Sequence, residues 1–435
     1  MSVLVFVSSD PLTLLNTDNS SPLLDLPQGP AKILRYYTDI ESLTMLRCLR
    51  RENMLVLPHL QLTKLLQALQ TRGYDVIGPQ RREGAIVYAP LTSVEQLPQG
   101  WTELQEAGSY RLKRRDDDAM FGFTVGPQSW KKQLMPPRRR LWKATPAEDG
   151  MKMEFDPLPA TPLAFLGVRA CELHAIEIQD RILKDGPYPD EYYSHRRQSL
   201  FLISVQCTEA GATCFCTSMN TGPRAEAGFD LALTEIVDAG GSWFLVEVGS
   251  EKGQEVIASL ALEEASEEQI NLARQLSDEA ASQMGRSMNT EGLPALLDEM
   301  REHRHWEEIG ERCLSCSNCT LVCPTCFCSS VEDHTELGSP SAERVKRWDS
   351  CFHEDFSYLV GGAIRKSTAS RYRQWMTHKL SSWVEQFGTM GCVGCGRCIA
   401  WCPVGIDLTE EAAVFQNLAR NDGHKANEGG SNGTS

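Results

Sequence analysis

The sequence predicts an α+β multidomain protein: a mixed α/β middle domain with a parallel βαβ unit, then a C-terminal domain that holds metal through cysteine. Three observations carry this expectation. Two short apolar runs, residues 163–168 and 199–205, flank a helical stretch at 172–183, and strands apolar on both faces belong to parallel sheets covered by helices. Eleven of the sixteen cysteines fall between Cys313 and Cys402. Within that interval one spaced run of four, closed by proline, occurs twice.

Composition narrows the class. A chain of 435 residues exceeds one small core and predicts two or three domains. Hydrophobic residues at 41% and charged residues at 23% are ordinary for a globular protein. The net charge of −15 argues against nucleic acid, whose phosphates are met by Lys and Arg clusters, and suits docking to other proteins. Disulfides would require an oxidising compartment and normally a secretory signal. The opening MSVLVFVSSDP has no basic segment, its apolar run is too short to span a membrane, and no later stretch reaches that length. The expectation is a reduced, cytoplasmic, metal-loaded chain.

In order along the chain, residues 1–53 show no strong periodicity and read as an N-terminal extension. At Met54 the texture changes. Leu62, Leu65, Leu66 and Leu69 repeat at i, i+3, i+4, i+7, a helix stripe that Gly73 stops. That change is equally compatible with translation starting at Met54 and with a loosely packed extension. Residues 74–77 and 85–88 read as neighbouring strands, and 243–248 as another. The α/β domain then spans 54–250. The acidic stretch 254–284 has few bulky apolar residues and reads as a solvated helix in a linker over 251–306, with a further helix at 295–306. The cluster domain spans 307–420. Its interior, 356–387, reads as helical, with Tyr358, Leu359, Trp375, Leu380 and Trp383 for packing. Residues 421–435 are polar, Gly-rich and expected to be disordered.

The chemistry lies in the doubled motif. Cys313-x2-Cys316-x2-Cys319-x3-Cys323-Pro324 recurs as Cys392-x2-Cys395-x2-Cys398-x3-Cys402-Pro403. A cubane 4Fe–4S cluster needs four inward-pointing thiolates, and one tight loop supplies three. In two-cluster ferredoxins the fourth ligates the other cluster. Carried over, one cluster takes Cys313, Cys316, Cys319 and Cys402, the other Cys392, Cys395, Cys398 and Cys323. Zinc is disfavoured, because its sites use two pairs of ligands rather than a doubled run of four with proline after the last. The 68 residues between the motifs exceed what a compact βαβ-type ferredoxin needs. With helices filling the gap, the domain resembles the α-helical ferredoxin module of fumarate reductase and heterodisulfide reductase subunits.

Other cysteines divide into two groups. Cys171 and Cys207 each follow a predicted parallel strand, so they emerge at the same sheet edge, where open α/β folds place their sites. Cys214 and Cys216 follow at once. These four either hold a third 4Fe–4S cluster or pack as buried thiols. Cys326, Cys328 and Cys351, with His334 or His353 near in sequence, offer an extra ligand set. Packed thiols beside a cluster are the better reading there, because no fourth thiol stands at a familiar spacing. Cys48 is isolated and has no assigned role. No G-x-G-x-x-G follows a predicted strand, no P-loop occurs, and no nucleophile–base set is defensible. The pattern is that of a non-catalytic electron-transfer subunit.

The segments GYDVIGP, VGPQSWKKQLMPP, FLGVRACELHAIEIQDRIL, CFCTSMNTGP, GFDLALTE, CPTCFC and WDSCF resemble the β subunit of soluble cytoplasmic nickel–iron hydrogenases, the sulfhydrogenase family. The anaerobic sulfite reductase A subunit belongs to the same wider 4Fe–4S dicluster group. The resemblance spans about residues 54–412. It implies electron relay between a flavin subunit that handles NAD(P)H and a nickel–iron hydrogenase pair. An anaerobic sulfite reductase context is the alternative, and a scaffold with structural clusters a third reading.

Overall fold

The computed structural model describes residues 54–429 except 239, 240 and 336, with side chains to residue 421. The expectations for residues 1–53, Cys48 and the Met54 start among them, and for 430–435 lie outside the described residues.

β1 (Met54–Pro58) leads into the helix Leu62–Thr71, whose four stripe leucines are all buried. Gly73, at φ +85°, turns the chain out of it. β2 (Asp75–Arg82) and β3 (Ala85–Pro90) pair antiparallel. β4 (Trp101–Glu106) and β5 (Ser109–Arg114) form a separate hairpin, as do β6 (Arg138–Ala147) and β7 (Gly150–Phe155). β8 (Leu163–Val168), the helix Ala170–Leu183 and β9 (Phe201–Val205) make the parallel unit expected from their apolar runs. β10 (Leu231–Asp238) and β11 (Gly241–Val248) form a hairpin, and β12 (Glu263–Glu264) adds an edge.

The main sheet runs β12-β1-β11-β10-β9-β8-β2-β3. Its centre is parallel, β10 to β9 to β8 to β2, and its flanks are antiparallel. β8 and β9 are buried along their whole length, as strands with both faces covered must be.

Four elements differ from the sequence reading. Residues 254–284 are not one solvated helix. They divide into helices Glu251–Ile257 and Glu267–Ser282 around β12, and the second buries Ile270, Ala273, Ser277 and Ala280 against the sheet. Beyond Ile270 its buried face is Ala273, Ser277 and Ala280, small residues without the bulk that marks a core helix. The helix at 295–306 is two, Leu293–Glu299 and His305–Arg312. Between the motifs, α-helix begins only at Thr368. Before it stand β13 (Ser329–Thr335) and β14 (Ala342–Trp348), which pair with each other and with β6 in a second sheet. Their mostly polar text is held by cross-strand pairs, Arg344 with Asp333 at 2.7 Å and Arg347 with Glu332 at 2.5 Å. Two-residue strands β15 (Tyr358–Leu359) and β16 (Gly362–Ala363) follow. Finally, the helix Leu408–Gly429 continues past Asn421, because a helix nucleated by packing extends cheaply into a polar flank. No helix of the described residues is long and apolar enough to cross a membrane.

Candidate iron–sulfur centres

The two motif loops share a backbone design. In each, the N–H two residues after the first cysteine points at its sulfur: Ser315 to Cys313 at 3.4 Å, Gly394 to Cys392 at 3.5 Å. Each loop also takes left-handed backbone at the same two places, Ser315 and Ser317 (φ 51° and 66°), Gly394 and Gly396 (φ 64° and 71°). A short helix follows each, Asn318–Leu321 and Arg397–Ala400.

The flanking helices decide which cysteines meet. His305–Arg312 leads into the first loop and Leu408–Gly429 leads out of the second. Glu411 joins them, meeting His305 at 2.8 Å and Arg312 at 2.5 Å. Cys402 is thereby brought to a cavity lined by Cys313, Cys316 and Cys319, whose wall Cys398 of the second loop also joins. Burial pushes the Cys319 thiol up, and Cys313, Cys316 and Cys402 beside it act in the same direction. The arrangement is reciprocal. Burial raises the Cys398 thiol, and Cys392, Cys395 and Cys323, with Cys319 of the first loop, add to it.

Both surroundings suit an anionic cluster. Ser317 Oγ and Trp375 Nε1 are buried without a partner, and both residues line the first cavity. At the second, Lys379 Nζ lies 3.2 Å from Cys323 Sγ, with Thr325 Oγ1 at 2.9 Å and the Gly391 carbonyl at 3.1 Å. Burial opposes its charge, but Cys323, Cys326 and Cys392 outweigh burial and hold the ammonium protonated. Arg397 stands beside Cys395 and donates to Glu172 at 2.6 Å, leaving Nη1 unpartnered. Buried cations of this kind require negative charge nearby. Among the described residues, no group of three or more His, Cys, Asp or Glu side chains could hold a metal ion.

The middle-domain cysteines also converge. Cys171 sits in the first turn after β8 and Cys207 just beyond β9. Cys216 has Cys207 and Cys214 as neighbours, and Cys171 faces Cys216 and Cys395. Burial pushes the Cys214 thiol up to about 12. Its sulfur lies 4.0 Å from the Cys395 carbonyl, so this group abuts the second motif. Arg169, 2% exposed, lies beside Cys207 with Nε unpartnered. Of the remaining thiols, Cys326 touches Cys323 and Cys328 touches Cys351. The nearby histidines turn elsewhere, His334 to Glu332 at 3.3 Å and His353 to Asp349 at 2.6 Å.

Sequence reasoning missed Lys379, Arg397, Glu172 and Arg169. Arg397 alone left a signal, a cation inside the second motif. Lys379 lies on a π-helical turn, His378–Ser382, that has no sequence signature.

Residues 312–406 match the family model described as a 4Fe-4S dicluster domain. Over 341 residues the chain is 35% identical to Sulfhydrogenase 2 subunit beta of Pyrococcus furiosus, covering 74% of this chain and 96% of that protein. The chain belongs to the sulfhydrogenase β-subunit family. As a member of that family it is an iron–sulfur, electron-transfer subunit of the hydrogenase type, and its 4Fe–4S chemistry sits in the C-terminal region.

Proposed function

We propose that this chain relays electrons through two 4Fe–4S clusters, one on Cys313, Cys316, Cys319 and Cys402, the other on Cys392, Cys395, Cys398 and Cys323. Its partners in this reading are a flavin subunit that handles NAD(P)H and a nickel–iron hydrogenase module. The observation that supports the proposal is the place of Cys402 on the wall of the cavity that Cys313, Cys316 and Cys319 line, with Cys323 a neighbour of Cys398. When bound, such clusters accept and release single electrons at low potential. The chain's own part is to fix the thiolates and supply compensating charge through Lys379 and Arg397. A third cluster on Cys171, Cys207, Cys214 and Cys216 extends the route into the middle domain. It is supported by the contact of that group with Cys395.

Replacing Cys402 with Ala tests the exchange. The cluster on Cys313, Cys316 and Cys319 is expected to become a three-iron species or to be lost, as read by electron paramagnetic resonance. A change confined to the Cys392 cluster would sink it. Iron analysis of anaerobically purified protein tests the third cluster: about twelve iron atoms per chain support three cubanes, about eight support two. An unchanged iron content in the Cys207→Ser, Cys214→Ser double variant makes those thiols packing residues.

A further inference from the structure

Cys326, Cys328 and Cys351 are left outside both cluster sets and the middle-domain group. Two of them are held together by the second sheet. Cys328 immediately precedes β13, and Cys351 comes three residues after β14. The register pairs Ser329 with Trp348, so both cysteines lie at the open end of the hairpin. Asp349 N–H donates to the Cys328 carbonyl at 2.9 Å, which carries the ladder one step beyond the strands. Cys351 is then the diagonal neighbour of Cys328 on the extended register. Each thiol is the other's strongest electrostatic neighbour.

The loop carrying Cys351 is fixed. Ser350 is fully buried, shares a hydrogen bond with Thr320 at 2.8 Å and accepts from Phe352 N–H at 3.1 Å. Asp349 accepts from Ser350 N–H at 2.7 Å and also from Ser330. Cys319 of the first loop lies beside Cys351. Cys326, which touches Cys323 of the other set, lies two residues before Cys328.

The charge around the pair is positive. Lys131 and Lys379 are both buried and both near Cys326. Lys131 Nζ meets the Thr320 and Leu321 carbonyls at 3.3 and 3.4 Å and lies over the Trp348 ring at 4.1 Å. Burial pulls the Lys131 amine down, and Lys379 acts the same way against the opposing sulfurs. The sulfurs around Lys379 outweigh burial, so Lys379 is the buried cation that calls for a sulfur anion opposite it. The thiols are half-buried, so protons can leave.

We propose that Cys328 and Cys351 are a redox-active pair that cycles between dithiol and disulfide, exchanging two electrons with the adjacent clusters. On oxidation two S–H bonds break and one S–S bond forms. Two protons go to solvent, and one electron passes to each of the two oxidised clusters. Reduction reverses each step. The pair is a two-electron store between one-electron carriers, and it rests on the two-cluster reading for its electron partners. An additional cubane is not favoured, because Cys326 is engaged with Cys323 and the histidines face carboxylates.

The test uses anaerobic holoprotein, poised with dithionite or with an oxidising dye, then acid-quenched, alkylated and digested. The expected result is that Cys328 and Cys351 are alkylated after reduction and recovered as one disulfide-linked peptide pair after oxidation. Cys328→Ser and Cys351→Ser each keep the parental iron content and cluster spectrum but lose a two-electron wave in the redox titration. Alkylation of both thiols at every poise overturns the proposal. Loss of about four iron atoms in either variant also overturns it, since the thiols would then be cluster ligands. Iron below about eight per chain in the parent sinks the two-cluster reading and the electron route with it. The alkylation pattern reports the thiol pair separately.

Discussion

The two cluster loops have the same cysteine spacing and the same backbone turns, yet they are set in opposite surroundings. At the two left-handed positions the first loop carries Ser315 and Ser317, the second Gly394 and Gly396. The second loop is pressed against the Cys214–Cys216 segment. Phe215 N–H donates to the Gly394 carbonyl at 2.8 Å, and a Cβ on Gly394 would stand 2.5 Å from the Phe215 oxygen. Gly396 meets the Thr213 carbonyl in the same way. The first loop leaves Cys316 exposed and admits side chains. Charge differs too. Where the second loop has Arg397, the first has Asn318, which donates to the Trp401 carbonyl at 3.2 Å. Cysteine spacing therefore specifies the iron chemistry, while the residues between the cysteines specify what each loop packs against.

The largest effect is expected from removing the anchor of the inner loop. Glu172, 1% exposed, accepts from Tyr88 at 2.8 Å, Trp130 at 3.0 Å and Arg397 at 2.6 Å. Glu172→Ala strands the Arg397 charge in the core and costs about 3–5 kcal/mol. Denaturant titration of the holoprotein measures it, and a cost below about 1 kcal/mol would show that Glu172 does not hold this loop. A smaller loss comes from copying the outer loop into the inner one. Gly394→Ser or Gly396→Ser forces a side chain against backbone and costs about 1–3 kcal/mol. Weaker iron retention at Cys392, Cys395 and Cys398 is the accompanying sign.

Lys379→Met separates the loops by potential rather than stability. An ammonium on Cys323 favours the extra electron of a reduced cluster, so its loss lowers that cluster's potential. The expected drop is on the order of 50 mV, a little under the 59 mV that equals a tenfold shift for one electron. The cluster on Cys313 is expected to move less, and iron content to stay the same. Equal shifts in both clusters would remove the asymmetry.

How much of this was legible in the sequence depends on which physical signal each element leaves. β8 and β9 announce themselves, since a strand covered on both faces is apolar throughout. The leucine helix at Leu62–Thr71 does so by period. The motif spacing announces 4Fe–4S chemistry, which the dicluster-domain match over residues 312–406 bears out. Helix Glu267–Ser282 was hidden by a buried face of Ala273, Ser277 and Ala280. β13 and β14 were hidden because their pairing rests on charge and register between polar residues distant in sequence from β6. The place of Lys379 depends on a π-turn, and that of Glu172 on a partner 225 residues away. No local pattern encodes either.

The reverse swap is the gentlest probe of the comparison. Ser317 holds left-handed backbone at φ 66°, which costs a non-glycine residue about 1–2 kcal/mol. Ser317→Gly removes that strain, but glycine also loses more freedom on folding, by about 0.5–1 kcal/mol. The two nearly offset each other, and the net change in stability is expected to stay within about 1 kcal/mol. Any effect on the site runs through Ser317 Oγ, buried without a protein partner on the wall of the Cys313 cavity. Removing that hydroxyl takes a donor from the cluster's surroundings, so the spectrum of that cluster is expected to shift while the other stays unchanged. A glycine swap that unfolds the outer loop as badly as a serine swap unfolds the inner one would mean that both loops are equally enclosed. The exposed and the buried loop would then not be distinct environments.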